Sequence, residues 1–83
     1  MNNNTTAISQ AQIEEWLVSY LSQLLEVDSS EIDLKVPLER YGLDSSAAVG
    51  LTGDLENFLG RDLEPTILYD YTTIAALSEH LAS

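Results

Sequence analysis

Between positions 13 and 25 the apolar residues recur in steps of three, one, three, one, three and one: Ile13, Trp16, Leu17, Tyr20, Leu21, Leu24 and Leu25. A half-buried strand alternates with period two. This pattern has period 3.6 and commits the segment to an amphipathic helix with one face turned inward. Ser9 and Gln12 have the spacing of a capping box, which sets the helix start. Glu14 and Glu15 lie near that end, where negative charge is favoured. The helix is expected to stop near Glu26 or Val27. Trp16 and Tyr20 could be read as a ligand-stacking pair, but at this spacing they read as core.

One apolar face cannot be buried alone, so the rest of the chain must supply partners for it. A second helix is expected from about Ser45 to Leu59, with Asp44 as its N-cap and Gly60 as its stop. Ala48, Leu51, Leu55, Phe58 and Leu59 form its buried stripe. Gly50 and Gly53 lie inside it, each unfavourable by about 1 kcal/mol relative to alanine. They either admit a close neighbour or leave room for a partner or a prosthetic arm. A short helical turn beginning near Pro65 precedes a last helix capped by Thr72 or Thr73, with Ile74, Leu77 and Leu81 inward. No stretch alternates like a strand. The fold class is all-α: a small four-helix bundle, three main helices plus a short third one, with a long loop between helices 1 and 2. Residues 1–8 read as a flexible leader and residues 9–83 as the domain.

The loop, residues 28–44, is long for a compact domain, and such loops are often functional. Ile32, Leu34, Val36, Leu38 and Leu43 give it apolar anchors. Asp28 to Asp33 resembles the start of a calcium loop but lacks the glycine at the sharp turn and the closing glutamate, so no metal site is expected.

Charge narrows the partners. Fourteen acids against three bases give the 83-residue chain a formal net charge of −11. Such a surface repels nucleic acid and anionic membranes and attracts basic docking patches. No run approaches the length of a membrane span, and the first residues do not form a signal peptide. With no cysteine, disulfides and thiolate metal sites are excluded, and a cytoplasmic location fits.

Candidate catalytic residues are few. The chain has one histidine, His80, and no Gly-rich phosphate loop. A Ser45–His80–Asp arrangement is formally possible, but no spacing supports it, and a nucleophilic serine needs a base within reach. Ser45 follows the loop at the mouth of the second helix. An exposed serine without a base suits modification by another enzyme. The free amides and partial positive charge of a helix N-terminus tolerate a phosphate. Asp44 places a second negative charge there. The conflict eases if Asp44 caps the amides or holds a divalent cation such as magnesium during modification.

Two segments carry a family resemblance over roughly residues 10–82. Glu39-Arg40-Tyr41-Gly42-Leu43-Asp44-Ser45 resembles the approach to the attachment site of acyl carrier proteins. Leu68-Tyr69-Asp70-Tyr71-Thr72-Thr73-Ile74-Ala75-Ala76-Leu77 resembles the short third helix and the start of the fourth in polyketide-synthase carriers. The segment from Asp44 to Glu56 is similar to carriers that partner fatty acyl-AMP ligases. The resemblance departs at Ser46, where leucine is common, and at Gly50, where an acid is common. Ser46 therefore stands as the alternative bearer of the arm.

The resemblance implies that a phosphopantetheinyl transferase moves a 4′-phosphopantetheine arm from coenzyme A onto Ser45, assisted by Asp44 and magnesium. It implies a non-catalytic carrier that holds a fatty acyl or polyketide intermediate as a thioester, at the loading or an early stage of polyketide or lipopeptide biosynthesis. Asp54 and Glu56 on the second helix are the expected docking acids. The implied partners are the transferase, a fatty acyl-AMP ligase or other acyl-loading enzyme, and a ketosynthase or other downstream enzyme, serving a monomeric carrier. Both a free-standing carrier and a domain cut from a larger synthase fit. Two alternatives stay open: a peptidyl carrier of a nonribosomal peptide synthetase, and a helical interaction module with no prosthetic group.

Overall fold

A computed structural model of the chain describes residues 8–82. Four helices follow one another: α1 (Gln10–Leu25), α2 (Ser45–Leu59), α3 (Ile67–Asp70) and α4 (Ile74–Ala82). No strand occurs among the described residues, and the all-α expectation holds. Of the expected leader only Ile8 is described; it is half-buried and packs against the core. The rest of the leader, with Ser83, lies outside the described residues.

Helix α1 starts as its sequence requires. The Ser9 hydroxyl accepts from the Gln12 amide at 3.2 Å, and the Gln12 side chain accepts from the Ser9 amide at 2.8 Å. Two of the orphan amides of the first turn are thereby satisfied. Ile13, Leu17 and Leu21 are completely buried and meet Leu51 and Leu55 of α2 and Ile74, Leu77 and Leu81 of α4 in one core. Trp16 and Tyr20 are only partly buried. Trp16 stacks on Tyr20 and on Phe58 of α2, both at 5.1 Å between ring centroids, so the aromatic pair joins two helices. Leu24 departs from expectation: it is 45% exposed. Its angle around the helix matches the buried face, so its exposure means that no neighbour reaches Leu24 itself, although Leu25 beside it packs against the core. The chain leaves α1 through Glu26 in the left-handed region at φ 58°.

The long connection is ordered rather than slack. Short 3-10 turns form over Ser29–Glu31 and Leu38–Tyr41, and Ile32 and Leu38 are buried. Two backbone bonds fasten it to the far end of the chain: the Leu38 amide donates to the Thr72 carbonyl at 2.7 Å, and the Ala75 amide donates to the Leu34 carbonyl at 2.9 Å. The Tyr41 hydroxyl accepts from the Asp33 amide at 2.7 Å and donates to the Asp33 carbonyl at 2.9 Å, closing the loop on itself. Backbone polar groups without a helix or sheet ladder thus find partners.

Of the two candidate caps for α4, Thr73 serves: its hydroxyl accepts from the Ala76 amide at 3.1 Å. Ile74, Leu77 and Leu81 face inward as expected. The glycines inside α2 do not serve a close approach within the fold. A methyl group at Gly50 would meet only the Tyr20 hydroxyl, at 3.9 Å, and one at Gly53 would meet nothing within 4 Å.

Candidate functional site

The site is built where the long connection enters α2. Gly42 ends the Leu38–Tyr41 turn in the left-handed region at φ 78°, which a side chain would resist. The chain then turns so that Leu43 is half-buried and packs against the core. Asp44 is extended, and its carboxylate accepts from the Ala47 amide at 2.8 Å while its carbonyl accepts from the Ala48 amide at 2.9 Å. Asp44 is therefore the N-cap, as its position implied. Ser45 is the first residue of α2 and is exposed, as is Ser46. The first amides of a helix have no partner inside it and carry the positive end of its dipole.

A groove of about 380 Å³ opens at Ser45. Leu38, Leu43, Ala48, Leu68 and Tyr69 give it apolar walls, and Glu39, Asp44, Ser45 and Thr72 give it polar ones. The bond between Leu38 and Thr72 ties two of its walls together. Ser46 does not line it. The two neighbouring serines, equivalent as exposed hydroxyls, are therefore distinguished by geometry.

The one histidine is not at this groove. His80 stands on α4, where its ring stacks on Tyr71 at 4.0 Å between centroids, and it lines a different groove with Arg61 and Asp70. The formal Ser45–His80 pairing is not formed. No group of three or more His, Cys, Asp or Glu side chains that could hold a metal occurs among the described residues. Asp33, in the segment that resembled a calcium loop, instead caps its own turn by accepting from the Lys35 amide at 2.9 Å.

Asp54 and Glu56 both already hold bonds within the chain. Asp54 is exposed and accepts from the Tyr20 hydroxyl at 2.8 Å. Partial burial, with the bond to Asp54 and its negative charge, pushes the Tyr20 phenol above its ordinary range. Glu56 is half-buried and accepts from the Leu63 amide at 2.7 Å, fastening the segment that leaves α2. The sequence reading missed this second task. Three consecutive residues without helix signals after Gly60 leave amides to satisfy, and an acid one turn before the stop can reach them. It also missed Leu38, Glu39, Leu68 and Tyr69 as walls of one groove, because they come from distant parts of the chain. The visible hint was Tyr69, an aromatic in a helix too short to bury it.

With the geometry in place, comparison with known proteins is informative. A family model described as "Phosphopantetheine attachment site" matches residues 15–81. The acyl carrier protein TtuC of Teredinibacter turnerae is 36% identical over 76 residues, covering 92% of this chain and 87% of TtuC. The solution structure of Asl1650, an acyl carrier protein from Anabaena with a variant phosphopantetheinylation-site sequence, superposes with a TM-score of 0.85 at 36% identity, covering 96% of this chain and 94% of that one. A free-standing peptidyl carrier protein from Acinetobacter baumannii superposes with a TM-score of 0.80 at 37% identity, covering 88% of this chain and 91% of that one. The chain also matches polyketide synthase PksM of Bacillus subtilis at 36% identity over 69 residues, only 2% of that protein's length.

Proposed function

The chain belongs to the phosphopantetheine-attachment-site family of carrier proteins, and from that premise we propose that Ser45 carries the covalent 4′-phosphopantetheine arm. The observation that carries this assignment is geometric: Ser45 is exposed at the N-terminus of α2 and lines the adjoining groove, whereas Ser46 does not. The residues fit such a group. An exposed hydroxyl can be reached by a transferase, the amides of the first turn favour a phosphodiester, and the groove offers apolar walls beside it. When bound, the arm supplies a terminal thiol that holds an acyl chain as a thioester.

The chain's own residues supply position. Asp44 fixes the start of α2 and hence the direction of the Ser45 side chain. The cap uses Oδ1 of the Asp44 carboxylate, and the other oxygen is the one to face magnesium while the transferase acts. Tethering raises the effective concentration of the acyl group at each docked enzyme without any new contact. Asp54 and Glu56 flank the outer face of α2 and act as charged rim contacts. We assign no catalysis to the chain; the carboxylates near Ser45 are Asp44, which caps α2, and Glu39, and no histidine lines the groove.

The acyl group is a fatty acyl or polyketide intermediate, loaded by a fatty acyl-AMP ligase or similar enzyme and passed to a ketosynthase or another downstream enzyme. The likeness to TtuC and to the PksM segment supports this reading. No helix among the described residues is long and apolar enough to cross a membrane, in keeping with a cytoplasmic carrier. The net charge of −11 opposes self-association and supports a monomer. The likeness to the Acinetobacter carrier favours a second reading, in which the same scaffold holds an amino acid. An adenylating enzyme that charges the holo-protein with amino acids and not with fatty acids would decide for it.

The attachment test is intact-mass measurement after incubation with coenzyme A, magnesium and a broad-specificity transferase. The expected result is a gain of one phosphopantetheine in the wild type and in Ser46→Ala, and none in Ser45→Ala. A gain that survives Ser45→Ala overturns the assignment.

A further inference from the structure

A groove of about 620 Å³ runs along the outer flank of α1 and shares no lining residue with the groove at Ser45. Helix α1 lines it on every turn from Ala11 to Gln23, a length of about 18 Å at the rise of an α-helix. Ser29 and Leu34, from the long connection, form its other wall. That wall is fastened: the Leu34 carbonyl accepts from the Ala75 amide of α4 at 2.9 Å. Val18 and Leu34 are half-buried, pack against the core and give the groove an apolar floor. Its hydroxyls are already engaged within the chain. Ser22 donates to the Val27 carbonyl at 2.5 Å, and Ser19 accepts from the Gln23 side chain at 3.5 Å.

The charge of the groove has one sign. Helix α1 contains two charged residues, Glu14 and Glu15, and both line it. No lysine, arginine or histidine does. The connection beside it adds Asp28, Glu31 and Asp33 against one cation, Lys35. Glu14 accepts from the Gln10 side chain at 3.2 Å, an exposed bond, and Glu15 is exposed. The groove therefore has an apolar middle and an acidic end. Ala11, Ser19 and Ser22 are small, and the distance between two packed helices is set by the side chains at their contact. Another helix can lie close against this flank.

We propose that this flank of α1 is a docking surface for an amphipathic helix of a partner protein. The helix sets an apolar stripe on Val18 and Leu34 and places lysine or arginine against Glu14 and Glu15. A helix in a groove is read through anchors spaced three and four residues apart. Contact over three turns makes a small interface, in the size class of transient complexes. Charge selects this occupant over two others. A second copy of the chain brings a net charge of −11 and only three cations, and is repelled. Residues 1–7 hold one large apolar side chain, Met1, and no basic one, so they supply neither stripe nor cations. Because this groove and the one at Ser45 have separate walls, a partner held on α1 leaves the serine open. Holding the carrier there raises the concentration of Ser45 at that partner's own sites.

The experiment titrates a synthetic amphipathic peptide of about four helical turns, with a leucine and alanine stripe flanked by lysines, into the isotope-labelled full chain at about 150 mM salt. Amide shifts are expected to gather at Glu15, Val18, Ser22 and Leu34 and to spare residues 45–48. Ser19→Arg fills and neutralises the groove and is expected to weaken binding at least about tenfold, and Glu15→Gln about threefold. Asp54→Asn makes the same charge change on α2 and is expected to cost less than about twofold. A scrambled peptide of equal composition, without the stripe, is expected to bind at least about tenfold more weakly. Melting temperatures of Ser19→Arg and Glu15→Gln are expected to match the wild type, both positions being exposed. Shifts spread over α2, equal losses in Asp54→Asn and Glu15→Gln, or equal binding of the scrambled peptide would mean attraction to net charge alone and would overturn the proposal. The attachment of the arm is judged separately. The peptide is expected to bind Ser45→Ala as it binds the wild type, and at saturation to leave the rate of phosphopantetheine transfer within about twofold. A rate that falls as the groove fills overturns the independence of the two surfaces. No gain of mass in the wild type overturns the Ser45 assignment and leaves the groove standing.

Discussion

Removing the cap of α2 tests the physical basis of the site with one atom group. The Asp44 carboxylate accepts from the Ala47 amide at 2.8 Å at the start of α2. Asp44→Ala leaves that amide to water and removes a charge from the positive end of the helix. The cost is about 1 kcal/mol. An unfolding entropy of about 2.1 cal/mol/K per residue over 83 residues gives about 0.17 kcal/mol/K. The melting temperature should then fall by about 6 °C. Asp44→Asn keeps an oxygen in the same place and should melt within about 1 °C of the wild type, because asparagine caps as well as aspartate. Thermal unfolding followed by far-ultraviolet circular dichroism checks both. The pair also separates two tasks of one residue. If the carboxylate faces magnesium during modification, Asp44→Asn keeps its melting temperature and loses transfer rate. Asp44→Asn melting with Asp44→Ala would refute the capping argument. Asp44→Asn modified at the wild-type rate would refute the magnesium role.

What could be read in advance was whatever lies within one turn of the chain. The capping box of Ser9 and Gln12, the cap at Asp44 and the stop at Gly60 depend on neighbours three or four residues away, and all three form. The buried stripe was legible for the same reason, since a helix period is a local property. Leu24 shows where that logic ends. Its angle is right, but whether a neighbour reaches it depends on how far the other helices extend. Glu26 shows a second limit: a non-glycine residue adopts the left-handed region there, and no residue type announced it. The groove at Ser45 was the least legible part. Its walls come from residues 38–48 and 68–72, brought together by a backbone bond between Leu38 and Thr72 that leaves no trace in side-chain pattern. The exposed serine at the start of α2 was therefore readable, while the groove around it was not.

Two further perturbations probe α2 and its contact with α1. Gly53→Ala should raise stability by about 1 kcal/mol, because alanine restores helix propensity and the added methyl meets nothing within 4 Å; a lower melting temperature would mean that the position is crowded after all. Tyr20 makes a pH test with a definite sign. Its phenol is pushed above the ordinary value of 10.0 by burial first, then by its bond to Asp54 and by the charge there. Raised in the folded state, it contributes stability that is complete below about pH 10 and is lost as pH climbs through the higher folded value. The gap in melting temperature between wild type and Tyr20→Phe should hold constant up to about pH 9 and narrow above pH 10. The other tyrosines ionise in both proteins, so the comparison isolates Tyr20. Removing the charge with Asp54→Asn deletes the coulombic cause while leaving burial and an oxygen that can still accept from the phenol, so the narrowing should shrink without vanishing. A gap that stays flat or widens to pH 11 would show that the hydroxyl does not hold α1 to α2 through Asp54.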